Sequence, residues 1–122
     1  MRNYEGKNIR TFIGARNYEE SKQFYRELGF QEIEISGDMT LFKINEQLSF
    51  YLQDYYVKEW VENSMVFLEV DNVDKCWEDL INRNLQSKYK YVRLTGMKTF
   101  EWGRECFLHD PSGVLWHFGQ FN

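Results

Sequence analysis

The stretch Trp102-Gly-Arg-Glu-Cys-Phe-Leu-His-Asp-Pro-Ser-Gly-Val-Leu-Trp-His-Phe118 decides the fold. Its two flanks are rich in aromatic and β-favouring residues. Between them lies Asp110-Pro111-Ser112-Gly113. Proline presets φ for the first corner position of a β-turn, and glycine accepts backbone angles that other residues resist. The segment reads as a strand, a tight turn and a second strand, with Asp110 a turn residue rather than a catalytic aspartate. Arg104 and Glu105 are adjacent on the first of these strands and therefore face opposite ways.

Upstream, Ser64–Val70 alternates as a strand should, with Met65, Phe67 and Glu69 sharing one face. Asp71 or Asn72 then caps a helix that carries Val73, Cys76, Trp77, Leu80 and Ile81 on one side. Strands near Tyr91–Leu94, Trp102–His109 and Val114–Gly119 complete this half. The first half has the same order. Ile9–Gly14 is a short strand, and Asn17 caps a helix with Glu20 as its capping-box partner. That helix bears Tyr18, Ser21, Phe24, Tyr25 and Leu28 on one side and ends at Gly29. Strands Phe30–Ser36, Met39–Ile44 and Gln47–Gln53 follow, the last two as a hairpin around Asn45-Glu46. Residues 54–62 connect the halves and suit a helical turn. Asn17 and Asn72 stand 55 positions apart, so two βαβββ modules in tandem, about 9–53 and 63–119, indicate an internal duplication. An α+β domain with two mixed sheets follows from the periodicity, and 122 residues suit a single domain.

Composition narrows the classes of function. The net charge is -4 with no basic stripe, which argues against a nucleic-acid partner. No apolar run approaches the ~20 residues of a membrane span. The opening Met1–Asn8 lacks the apolar centre of a signal peptide, so a cytoplasmic location is expected. Cys76 and Cys106, 30 positions apart, form no metal-type pair and read as buried free thiols. Aromatic residues make up 18% of the chain, more than a core of this size requires. The surplus points to a ligand-binding cleft, although aromatic-rich core strands account for part of it. No Ser-His-Asp order, glycine-rich phosphate loop or Cys-His nucleophile pattern is present.

The helix end Phe24-Tyr25-Arg-Glu-Leu-Gly-Phe30 and the turn Asp110-Pro111-Ser112-Gly113, set in the tandem modules, resemble the glyoxalase/bleomycin-resistance/extradiol-dioxygenase (vicinal oxygen chelate) superfamily. The run Trp102-Gly103-Arg104-Glu105, with Trp116-His117-Phe118 after the turn, is most similar to bleomycin-resistance proteins. Asn63–Val70 also resembles that subfamily's central strand. The resemblance implies the glyoxalase/bleomycin-resistance fold with a curved mixed sheet. It further implies a homodimer whose ligand groove is built from both subunits, and antibiotic resistance by sequestering a bleomycin-like molecule without chemistry.

Metal-dependent members of the superfamily draw His and Glu ligands from the first and fourth strands of each module. The matching positions here are Arg10, Tyr51, Met65 and His117. Only His117 is a metal ligand by type, and one ligand does not hold a catalytic ion. No metal and no cofactor are expected.

The resemblance places a ligand-stacking aromatic at Trp102 and supports ligand contacts at Phe67, Tyr51, Glu69 and His117. Each also has a structural reading: packing for the aromatics, a solvated carboxylate for Glu69, a hydrogen-bonded strand imidazole for His117. His109, beside the turn, is expected at the surface or in support of the turn. The subfamily's groove aromatics on the second and third strands have no clear match at Glu34 and Met39. Three functions remain: a metal-free binder, favoured; a metal-dependent lyase or dioxygenase relative; and an interaction module whose groove a protein partner fills.

Overall fold

A computed structural model describes residues 4–122; residues 1–3 of the Met1–Asn8 segment lie outside the described part. Two strand sets form, each beginning with a strand and a helix. The first comprises β1 (Phe12–Gly14), α1 (Tyr18–Glu27), β2 (Gln31–Ser36), β3 (Met39–Lys43) and β4 (Ser49–Gln53). A short helix, α2 (Lys58–Val61), connects it to β5 (Met65–Glu69), α3 (Val73–Arg83), β6 (Arg93–Phe100), β7 (Gly103–His109) and β8 (Leu115–Phe121). Hydrogen bonding divides the strands into two four-stranded mixed sheets, ordered β1-β4-β3-β2 and β5-β8-β7-β6. In each, the first strand runs parallel to the last and the other pairs are antiparallel. The two modules thus share one topology. No helix among the described residues is long and apolar enough to cross a membrane.

The two longer helices, α1 and α3, each start at an asparagine. The Asn17 side chain accepts from Glu20 N, and that of Asn72 accepts from Lys75 N. The hairpin expected around Asn45-Glu46 is a wider loop. Asn45 Oδ1 accepts from both Gln47 N and Leu48 N, and Ile44 N pairs with Leu48 O, so the side chain builds the turn. The first strand is shorter than residues 9–14, because laddering to β4 starts at Phe12. The strand expected near Tyr91–Leu94 instead starts at Arg93 and runs to Phe100, past a register irregularity between Thr95 and Lys98 that breaks the alternation.

Tyr25 lies at the centre of the core. Its ring contacts Phe30, Phe42, Phe50 and Trp116, and all but Phe30 of these are buried. The predicted turn forms, with Gly113 N donating to Asp110 O and Gly113 at φ +97°. Asp110 is completely buried beneath it.

Candidate functional site

Alternation along the second sheet separates its two faces. Trp116, Phe118, Cys106 and Leu108 point into the core, with Val66 and Leu68 packed against it. The opposite, open face carries Met65, Phe67 and Glu69 from β5, His117 and Phe121 from β8, and Glu105 and Phe107 from β7. Register sets these side chains in rows. Phe67 lies beside His117, which lies beside Phe107, and Glu69 lies beside Gly119, which lies beside Glu105.

Gly119 makes one arrangement possible. A Cβ there would meet the Phe67 ring at 2.3 Å, so the glycine lets that ring lean across the sheet. Leaning this way, Phe67 contacts Trp102 and Phe121, each with ring centroids 5.9 Å apart. Trp102 stacks on Phe100 at 5.3 Å and 6°, and touches Phe121 at 5.1 Å. Phe67, Phe100 and Phe121 stay 44%, 40% and 51% exposed. The result is an apolar patch that water still reaches, with several flat faces for stacking.

His117 sits at the edge of this patch. Its ring lies 6.1 Å from Phe67 at 29° and 5.2 Å from Phe107 at 69°. Its Nδ1 is 2.5 Å from Oε1 of Glu105, whose residue is only 6% exposed. Its Nε2 is 3.4 Å from the Met65 sulfur.

Of the five side chains picked from sequence, Phe67, Trp102 and His117 come together, and Glu69 lies one row along on the same face. Tyr51 lies elsewhere, on the first sheet. There it stacks on Phe12 at 5.0 Å and accepts from Arg10 at 3.3 Å. Trp102 belongs to the β6–β7 turn rather than to a strand. His109 is half-buried beside the turn. Burial, then the nearby Arg93 charge, holds its imidazole below the usual range, and its buried Nδ1 has no partner among the described residues.

Sequence reasoning missed Glu105, Phe100 and Phe121. For Glu105 a signal existed. Its parity on β7 puts it on the open face, and a carboxylate buried there requires a hydrogen-bonding partner such as a histidine. Phe100 joins the patch through the curl of the β6–β7 turn, which alternation does not encode, and Phe121 lies beyond Gly119, where the sequence reading ended the last strand.

The four positions that the resemblance matches to metal ligands meet in two pairs. Arg10 bonds Ser49 and Tyr51 on one sheet, and Met65 meets His117 on the other. A guanidinium, a phenol, a thioether and one imidazole do not make a site for a divalent ion. No group of three or more His, Cys, Asp or Glu suited to a metal occurs among the described residues.

Comparison with known proteins gives the following. The family model for the Glyoxalase/Bleomycin resistance protein/Dioxygenase superfamily matches residues 9–118. No curated protein matches the sequence. Among solved structures, the bleomycin-binding protein of bleomycin-producing Streptomyces verticillus, complexed with copper(II)-bleomycin, is similar with a TM-score of 0.79 at 16% identity. The match covers 97% of this chain and 98% of that one. The bleomycin resistance determinant encoded on transposon Tn5 gives 0.75 at 18%, covering 94% and 98%. Lactoylglutathione lyase from Agrobacterium tumefaciens gives 0.70 at 14%, covering 95% of each chain. At these identities the likeness establishes the fold, which binders and an enzyme share.

Proposed function

The chain belongs to the glyoxalase/bleomycin resistance protein/dioxygenase superfamily, and from that premise we propose that it is a metal-free binder of the bleomycin-resistance type. It holds a cationic, aromatic small molecule in a groove lined by Trp102, Phe67, His117 and Glu69. The observation that carries this reading is the solvent-open aromatic patch, whose rings are spaced for stacking rather than sealed in a core. The donor set at the superfamily's metal positions supports binding over metal-dependent chemistry.

A homodimer is part of the proposal. The open faces of both sheets expose apolar groups, among them Phe12 at 46% and Met65 at 66%. That is a surface a second subunit would cover while closing a groove. Tyr51, which lies on the first sheet rather than the second, then contributes from the other subunit.

Tryptophan fluorescence titrated with metal-free bleomycin tests the ligand. The bleomycin-binding proteins of the same fold make that drug the first probe. Saturable quenching near one drug per chain, lost in Trp102→Ala, supports the reading. No response up to high micromolar drug removes bleomycin and turns the search to other aromatic cations. Light scattering tests the assembly, with twice the 14.9 kDa chain mass expected. Stoichiometric zinc, nickel, manganese or iron in the purified protein would replace the binder by a metal-dependent lyase or dioxygenase.

A further inference from the structure

Glu105 has a carboxylate on the open side of the sheet, yet it is almost fully buried. A buried carboxylate is costly without a donor, and the donor within reach is His117 Nδ1. A carboxylate only accepts, so Nδ1 carries the hydrogen, and the neutral ring then has its lone pair on Nε2. Phe67 and Phe107 hold the ring on two sides, which opposes a flip exchanging the two nitrogens. The neighbour of Nε2 is the sulfur of Met65, a thioether with no hydrogen to donate, on a side chain 66% exposed and free to swing aside. When the ring is neutral, the site therefore presents a fixed acceptor without a donor. Charge adds a second preference. Glu69 and Glu105 flank Gly119 in one row of this face. Lys98 ends the same row as the register partner of Glu105, but its ammonium is drawn over Phe107 at 5.7 Å to the ring centroid, which leaves Glu69 at the other end.

We infer that Glu105 is a positioning residue that fixes the tautomer of His117, and that the groove selects cations bearing an N–H donor on a flat apolar body. Ammonium, amidinium and guanidinium groups qualify; quaternary ammonium groups do not. This rests on the binder reading and adds the chemical class of the group it recognises. The flat body stacks on Phe67 and Trp102, while the N–H donates to Nε2. A quaternary cation gains the stacking and cation–π attraction but leaves the lone pair unsatisfied.

The test has a ligand-free arm and a ligand arm. Long-range proton–nitrogen correlation on ¹⁵N-labelled protein at pH 7.5 is expected to show His117 Nδ1 protonated and Nε2 bare, the signals being assigned by their loss in His117→Phe. Glu105→Gln is expected to mix the tautomers. Two protonated nitrogens, or a bare Nδ1, would overturn the assignment. In the ligand arm, tryptamine is compared with its N,N,N-trimethyl analogue. Wild type is expected to prefer tryptamine about tenfold, the scale of a charge-assisted hydrogen bond, with the ratio falling towards one in His117→Phe and Glu105→Gln. If Glu105→Gln does not fold, His117→Phe and the wild-type tautomer still decide. Equal binding of both probes sinks the donor requirement alone. Binding of neither sinks it together with the binder reading, while the tautomer result stands by itself.

Discussion

The phenol of Tyr25 donates to Oδ2 of Asp110 at 2.6 Å, across 85 positions of sequence. Trp116 Nε1 donates to the same phenol oxygen at 2.9 Å, and Asp110 Oδ1 accepts from Ser112 N and Val114 N. One buried network thus ties the helix of the first module to the terminal turn and strand of the second. Tyr25 and Asp110 belong to the two phrases that carry the family resemblance, and here they are in contact. Every polar atom in the network has a partner, a condition for such a group to stabilise a core.

Tyr25→Phe removes a hydroxyl that serves as donor and acceptor at once. The indole N–H and one carboxylate oxygen then lose their partners inside the core. A loss of about 3 kcal/mol in urea unfolding is expected. A loss below about 1 kcal/mol would mean that water or a shifted side chain replaces the hydroxyl.

Asp110 sets a pH dependence whose sign is opposite to that of most carboxylates. Burial pushes its carboxyl up to about 6, against an ordinary 3.8, despite bonds from Tyr25 and the turn amides. Its native pKa is raised, so the folded state binds more protons between these values and stability from this group falls as pH rises through them. Glu27, bonded by Lys88 and Tyr89, is shifted down and acts in the other direction. The useful measurement is therefore a difference. The stability advantage of wild type over Asp110→Asn is expected to shrink by about 2 kcal/mol between pH 4.5 and pH 7. An advantage that grows over that interval would show Asp110 to be shifted down.

How much of this was legible depended on whether the signal was local. The caps at Asn17 and Asn72 and the turn at Asp110–Gly113 act over three or four residues, so sequence located them. Alternation put Met65, Phe67 and Glu69 on one face of β5. It failed on β6, where Gly96 and the irregularity between Thr95 and Lys98 break the period and conceal the strand out to Phe100. The site divides in the same way. Phe67 and His117 are direct neighbours in register, whereas Glu105 reaches His117 on a diagonal and Phe121 reaches Trp102 diagonally past the end of β7. Those contacts depend on sheet twist and ring size, which no single strand specifies.

The two thiols are expected to differ in reactivity. A hydrogen bond from Cys106 holds Cys76 below the usual thiol range. The bond with Cys76, then burial, pushes Cys106 far above it. Cys76 is half-buried and Cys106 fully buried. With an aromatic disulfide reagent, native protein is expected to titrate one thiol per chain, and the second only after denaturation. Cys76→Ser should abolish the native reaction. Equal rates for both thiols would contradict this.

Gly119→Ala separates the shape of the aromatic patch from the stability of the fold. The added methyl would overlap the far end of the Phe67 ring rather than backbone. Phe67 is 44% exposed and can rotate outward, so a stability change within about 1 kcal/mol is expected. Once displaced, however, Phe67 loses its contacts with Trp102, Phe121 and His117 together, because all three need the ring leaning over residue 119. Binding of an aromatic cation is then expected to weaken about tenfold, the scale of losing one stacking anchor. Phe67→Leu in the same titration provides the comparison, since it removes the flat face without crowding the sheet. Similar losses in both variants would assign the effect to the Phe67 ring. Unchanged affinity in Gly119→Ala with unchanged folding would mean that Phe67 does not line the groove, leaving Trp102 and Phe100 as its stacking surface.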